Sequence, residues 1–348
     1  MRVAALQLAP KLGSFEQNLQ KANALLAARE LKHGHIDLLV LPELAFSGYN
    51  FPSVEAITPY LEPTGAGPST KWAAETAALL GCHVIVGYPE IATAADGTTK
   101  NYNSTVAVNA KGEVVANYRK SFLYYTDETW AEEGAKSLPP PAGLNIPKQD
   151  QPFFCGPLGD LSPGSNIGLG ICMDINPYRF AAPWSAYEFA SSMLEGQARI
   201  VILSMAWLTR LMPGEVKVEP DRPDMETVAY WLERFHPFLS RASSNPVAVD
   251  GHAPPAEGPE PIVVVFANRC GIEGNKIGAM HIENGEQVEE GDRVCYAGSS
   301  CVMRFQAGNV RMYEKAKGEV AILGKGEEGV LVVDTEQPAR FLLTQKMM

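Results

Sequence analysis

No Cys-x-x-Cys pair occurs in these 348 residues, and the six cysteines (82, 155, 172, 270, 295 and 301) are scattered along the chain. That spacing excludes a disulfide framework and a zinc site built on paired thiols, and it suits free thiols in a reducing compartment. Apolar runs of membrane-spanning length are also missing, so no membrane partner is expected. Positive charge is in deficit: 29 Lys and Arg stand against 40 Asp and Glu, a formal net charge of −11. The balance disfavours nucleic acid as a partner and leaves small or cationic ligands open. Histidine is scarce, with six residues (33, 35, 83, 236, 252 and 281), none in a motif with a thiol partner. His33-x-His35 falls at a predicted helix end with no further ligands, so it reads as surface and no metal is expected. Met1-Arg2 runs directly into the apolar Val3–Leu8, which leaves no room for a targeting peptide. A cytoplasmic protein is expected.

What is present alternates between strand and helix. Arg2–Ala9 reads as a strand. Ser14-x-x-Gln17 is a capping-box pattern, and apolar residues then recur at helical spacing until Gly34. Ile36–Leu41 is a nearly unbroken apolar run, as a strand covered on both faces requires. A helix over Pro68–Leu80 leads to a strand at Val84–Pro89, and a meander carries the chain through Tyr102–Asn109 and Glu113–Arg119. Further strands are predicted at Ala198–Met205, Ile262–Ala267 and Gly329–Asp334, and helices over Ser185–Leu194 and Met225–Arg241. With no internal repeat and no convincing linker, residues 1–348 read as one α/β domain with two sheets. Loop insertions are expected near 139–155 and 244–260.

Three residues stand out at predicted strand ends. Cys172 follows the apolar run Ile167–Ile171 and precedes Pro177, where a turn leads towards a helix through Ala181–Leu194. A thiol at such a turn would feel the positive end of the helix dipole, which favours the thiolate. The alternative is a buried, inert cysteine. Glu43 ends the Ile36–Leu41 strand among Pro, Phe and Tyr, where desolvation would raise its pKa towards that of a useful base; otherwise it is a solvated loop acid. Lys120 closes the meander, either as part of a solvated basic pair or held near a carboxylate. Together they form a set that needs no histidine: a carboxylate to take the thiol proton, a cysteine to attack an amide carbon, and an ammonium to stabilise the oxyanion.

Leu41-Pro-Glu-Leu44 with Phe46-Ser-Gly-Tyr49, Tyr118-Arg-Lys-Ser-Phe122 and Gly170-Ile-Cys-Met-Asp174 resemble the nitrilase, or carbon–nitrogen hydrolase, superfamily. Asn268-Arg-Cys-Gly-Ile-Glu273 and Ala297-Gly-Ser-Ser300 match its later features, so the likeness runs nearly the whole chain in order. The resemblance implies a four-layer αββα sandwich, assembly as a homo-oligomer, no cofactor, and a Glu-Lys-Cys triad. Glu43 would be the general base, Lys120 the oxyanion stabiliser, Cys172 the nucleophile and the Met173 backbone N–H a second oxyanion donor. Many members carry a further glutamate after the lysine; Glu128 is chosen here, with Asp127, Glu132 and Glu133 close enough to leave the register open. Met173 stands where many relatives have an aromatic.

Within the superfamily, Cys172-Met-Asp-Ile-Asn-Pro-Tyr-Arg-Phe180 and Phe46-Ser-Gly-Tyr-Asn-Phe51 are most similar to the fungal branch that deamidates N-terminal Asn and Gln of proteins, releasing ammonia through a cysteine thioester and feeding the N-degron pathway. This implies peptide or protein N termini as partners. Asp174, Tyr49 and Asn50 are the candidate contacts to the substrate, with a structural role for Asp174 as the alternative. An open-mouthed pocket would read the first residue with little regard for later ones. A small-molecule ω-amidase or carbamoylase, and a silent binding protein on the same fold, are the competing readings.

Overall fold

Side-chain alternation along the first strand sorts the interior into two cores. Arg2–Gln7 sends Val3 and Ala5 to one face, and Ala4 and Leu6 to the other. Its neighbours divide in the same way: Leu38, Val40 and Ile85 join the first face, and Leu39, Val84 and Val86 the second. A strand with both faces covered must be apolar at every position, which accounts for the unbroken runs in the sequence.

The computed structural model describes residues 1–136, 138–141, 143–240, 260–278, 280–283, 286–289 and 291–343. One sheet runs in the order Gly329–Asp334, Arg2–Gln7, Leu38–Val40, His83–Thr93, Thr99–Val108, Val114–Arg119, with Glu62–Pro63 beside the end of His83–Thr93. The other runs Phe341–Leu342, Asn309–Met312, Cys301–Gln306, Ile262–Asn268, Ala198–Met205, Asn166–Ile171, Phe154–Gly156. Each has three parallel strands at its centre flanked by antiparallel strands, and in the first sheet the short Glu62–Pro63 also pairs parallel with His83–Thr93. Their inner faces meet in a shared core. Helices Phe15–Ala28 and Pro68–Leu80 cover the outer face of the first sheet through Ala22, Trp72, Ala73 and Ala77. Glu188–Glu195, Met225–Arg234 and His236–Ser240 cover the second through Phe189, Met193, Trp231 and Phe238. The result is the αββα sandwich expected. A Cβ on Gly170 would come within 2.7 Å of the Phe189 ring, so glycine lets the helix Glu188–Glu195 lie directly on the strand that ends just before Cys172.

Several local expectations change. Phe15–Ala28 begins after Ser14, but the Ser14 side chain makes no capping bond, and the helix stops six residues short of Gly34. The helix expected from Ala181 begins only at Glu188. Before it come three single 3₁₀ turns, Cys172–Ile175, Tyr178–Phe180 and Trp184–Ala186, because Pro177 and Pro183 each break the ladder. The loop near 139–155 carries a strand at its end, Phe154–Gly156. The insertion near 244–260 lies, apart from residue 260, outside the described residues. All six cysteines are free, and His33 and His35 are exposed. Among the described residues no helix is long and apolar enough to cross a membrane.

Candidate active site

Glu43, Lys120 and Cys172 converge where the two sheets meet. Glu43 follows the Leu38–Val40 strand in a loop pinned to its neighbour by Leu41 N–H to Ile85 O (2.8 Å) and Ala45 N–H to Gly87 O (3.0 Å). A Cβ on Gly87 would sit 2.7 Å from the Glu43 Cα, so glycine is what lets this loop cross so closely. The Glu43 carboxylate is fully buried. Its Oε1 accepts from Lys120 Nζ (2.6 Å) and Asn103 Nδ2 (2.6 Å), and its Oε2 from the Ala206 N–H (2.8 Å) at the end of a strand of the other sheet.

Lys120 is equally buried and bridges a second acid, Asp127 Oδ2, at 2.6 Å. Asp127 also accepts from Asn103 Nδ2 (2.9 Å) and the Tyr124 N–H (3.0 Å). The acid after the lysine is therefore Asp127 and not Glu128. The 3₁₀ turn Asp127–Thr129 points the first residue inward and leaves Glu128 exposed. The neighbouring acids are engaged elsewhere: Glu132 pairs with Lys100 (2.6 Å), and Glu133 accepts from the Tyr178 hydroxyl (2.6 Å). Asn103, which the sequence did not single out, ties the two carboxylates together from mid-strand.

Cys172 has 8 % of its surface exposed and φ of +41°, an uncommon conformation for a residue other than glycine. Burial, followed by the negative charge of Glu43, pushes its thiol well above the ordinary range, against the pull of Lys120. The expected dipole activation is absent, since a four-residue 3₁₀ turn stands where the helix was predicted. The resting thiol keeps its proton and needs a base. Burial raises Glu43 as well, opposed first by Lys120. Burial alone would lower the Lys120 ammonium, but Asp127 and Glu43 outweigh it and hold the ammonium above its usual value. One cation between two buried carboxylates is thus kept charged through the neutral range.

Asp174, fully buried, braces this turn. Its Oδ2 accepts from the Ile171 N–H and the Tyr118 hydroxyl (both 2.8 Å), its Oδ1 from the N–H groups of Ser121 (3.1 Å) and Phe122 (2.9 Å). It joins the cysteine turn to the segment after Lys120, and its acceptor capacity is taken up by three backbone N–H groups and the Tyr118 hydroxyl. Arg234 holds the far end of the same turn through Ile175 O (2.7 Å).

A cavity of about 520 Å³ opens at Cys172, with Met173, Tyr49, Tyr124, Trp207 and Tyr230 among its walls. Asn50 is not among its lining residues; its amide donates to Asp292 O (3.0 Å), so it is a loop anchor. The Tyr49–Asn50 loop is itself held by Glu273, which accepts from both N–H groups and from the Tyr296 hydroxyl while paired with Arg269 (2.6 Å). The segment 268–273 thus supports the cavity wall. The cavity also presents two acids that sequence reasoning missed, Asp224 and Glu226. Asp224 is half-buried and caps the helix Met225–Arg234 through the Thr227 N–H (3.2 Å). Asp224-x-x-Thr227 ahead of an apolar stripe was readable as a helix start. Nothing in that pattern shows that the cap lines the same cavity as Cys172.

The fold and this constellation define a carbon–nitrogen hydrolase. The Carbon-nitrogen hydrolase family pattern matches residues 2–182, and the chain belongs to that family. Among known proteins, it is 30% identical to the Protein N-terminal amidase of Schizosaccharomyces pombe, over 97% of this chain and 100% of that protein. It is 27% identical to the Protein N-terminal amidase of Saccharomyces cerevisiae, over 69% of this chain and 64% of that one. In fold it is similar to a crystal structure of an N-terminal amidase with an Asn-Glu-Ala peptide, with a TM-score of 0.69, 21% identity and 99% of each chain covered.

Proposed function

We propose that this protein deamidates the side chain of an N-terminal Asn or Gln in peptides and proteins, converting it to Asp or Glu with release of ammonia. The observation that carries the reading is one cavity with a cysteine at its base, backed by a buried carboxylate–ammonium pair, and with acids on its wall. Half-buried Asp224, which keeps unused acceptor capacity on Oδ1, is the seat for the substrate's α-ammonium. The relatives named above, N-terminal amidases by name, support the same substrate class.

The reaction follows from the charges. Glu43 takes the Cys172 proton as sulfur attacks the side-chain amide carbon. The negative charge that develops on the carbonyl oxygen is met by Lys120 and the Met173 N–H. Collapse breaks the C–N bond, Glu43 returns the proton to the leaving nitrogen, and ammonia departs from a Cys172 thioester. Water, deprotonated by Glu43, then cleaves the thioester to the carboxylate and restores the thiol. We place this activity in one catalytic unit spanning the chain, acting in the cytoplasm and feeding the N-degron pathway.

The test is ammonia release from matched peptides. Asn- and Gln-initiated peptides are expected to be turned over by the wild type and not by Cys172→Ala. N-acetylated peptides and internal Asn or Gln are expected to be inert. Should the acetylated peptide or free glutamine serve as well as the Asn-initiated peptide, the reading fails and a small-molecule amidase replaces it.

A further inference from the structure

A substrate that is a chain must continue out of the cavity past its first residue. Two kinds of exposed group stand on the lining. Arg210 and Glu226 are the charged kind, and they pair with one another at 2.7 Å. Phe180 is the apolar kind. It lines the cavity, yet 46 % of its surface is open to solvent. Tyr124, on the cavity wall, meets the Phe180 ring edge-on at 6.4 Å, and Tyr125, 64 % exposed, lies 6.0 Å from it. These three rings make a continuous apolar strip from the wall beside Cys172 to the outer surface.

The strip is held in place at some cost. Arg179 and Phe180 both have φ of +53°, a left-handed conformation disfavoured for bulky residues. The Tyr178 hydroxyl and the Arg179 guanidinium both engage Glu133 (2.6 and 3.4 Å), which anchors the turn. Burying Phe180 would be the ordinary outcome for such a ring. The backbone instead keeps it at the mouth, and strain of this kind gathers where placement matters.

We infer that Phe180, with Tyr125 beside it, is the shelf that receives the second residue of the substrate peptide and favours a large apolar side chain there. The inference rests on the N-terminal amidase reading and refines it, since the sequence pointed to indifference beyond the first residue. A second-residue Phe or Leu would cover the exposed ring, and Gly would leave it wet. An exposed aromatic contact of this size changes kcat/KM by roughly fivefold to tenfold.

The experiment compares kcat/KM for Asn-Phe-Ala, Asn-Leu-Ala, Asn-Asp-Ala and Asn-Gly-Ala in wild type, Phe180→Ala and Tyr125→Ala. The ratio of Asn-Phe-Ala to Asn-Gly-Ala is the readout, because any general damage to a variant cancels in it. Wild type should show a ratio of roughly five to ten, carried by KM, and each variant should bring it towards one. Brisk turnover of all four peptides with a wild-type ratio near one overturns the inference and leaves the N-terminal reading standing. A ratio unchanged by either substitution also overturns it. Equal loss on every peptide, with a change of oligomeric state by light scattering, assigns the rings to a contact between copies and overturns it too. Absence of ammonia from every free-amine peptide sinks the N-terminal reading itself.

Discussion

Lys120 is the residue on which the site turns. It neutralises one of two buried carboxylates that would otherwise face each other, and its ammonium is held charged by both. In the proposed reaction, replacing it with alanine removes an oxyanion donor, which typically costs roughly 10²–10³ in kcat. The same change leaves Glu43 and Asp127 buried without their cation, a loss of roughly 3–5 kcal/mol in stability. Lys120→Ala is therefore expected to lower both kcat and the denaturation midpoint. Steady-state kinetics on an Asn-initiated peptide checks the first, and a rise in KM with kcat intact would show that Lys120 binds substrate instead. Glu128 and Asp127 illustrate what a residue-level reading misses. They are adjacent acids in a polar run without periodicity, so only the turn that carries them decides which faces the lysine.

The segment Glu62–Pro63 and the helix Pro68–Leu80 are joined by a buried carboxylate. Glu62 Oε2 accepts from the Ser69 N–H (2.8 Å) and Oε1 from its hydroxyl (2.6 Å). Burial nevertheless raises Glu62 to about 7, with the Ser69 bonds pulling the other way. The sign follows directly. Between the ordinary glutamate value and about 7, the folded state holds a proton that the unfolded state has released, so this group makes the fold less stable as pH rises through that window. Above it the cost is constant, up to roughly 3 kcal/mol. Glu62→Gln cannot ionise and retains an acceptor for Ser69. Its melting temperature should exceed that of wild type by more at pH 8 than at pH 5, as followed by circular dichroism across buffers. A gap that widens towards acid would mean that the Ser69 bonds outweigh burial. This element was visible in the sequence as a helix beginning at Pro68, but its acidic anchor was not. Glu62 lies outside the helix, and its burial arises because Gly67 leaves room for its side chain.

The site exists only because two sheets meet. Glu43 belongs to the first and accepts from Ala206 of the second; Asp174 belongs to the second and accepts from Ser121 and Phe122 of the first. Asp174→Ala would strand three buried backbone N–H groups and the Tyr118 hydroxyl. Each unsatisfied group costs about 1–3 kcal/mol. The expected outcome is a stability loss of at least about 3 kcal/mol together with a lower kcat, since the cysteine turn and the lysine segment lose the same brace. Urea denaturation and kinetics on one preparation measure both. Normal stability with a raised KM would return Asp174 to the substrate-binding role first considered for it.

Glu43, Lys120 and Cys172 were legible as strand-end residues of three complementary chemistries, because apolar runs mark buried strands and α/β proteins put chemistry at their ends. The two-sheet interior was legible for the same reason, through runs that have no polar face. What surrounds the triad was not. Asp174 reads equally well as ligand contact or brace, and only the four donors converging on it decide. Asp224 reads as a helix cap, which it is, and only tertiary packing places that cap on the wall of the cavity that Cys172 also lines. The helix expected after Cys172 gives way to three short turns, so the thiol is governed by burial and a buried ion pair and not by a dipole. Local pattern marked the residues that the structure brings together at the candidate site. Packing between the sheets decided their charge states, their partners and the shape of the mouth, because desolvation and long-range hydrogen bonds have no signature in neighbouring residues.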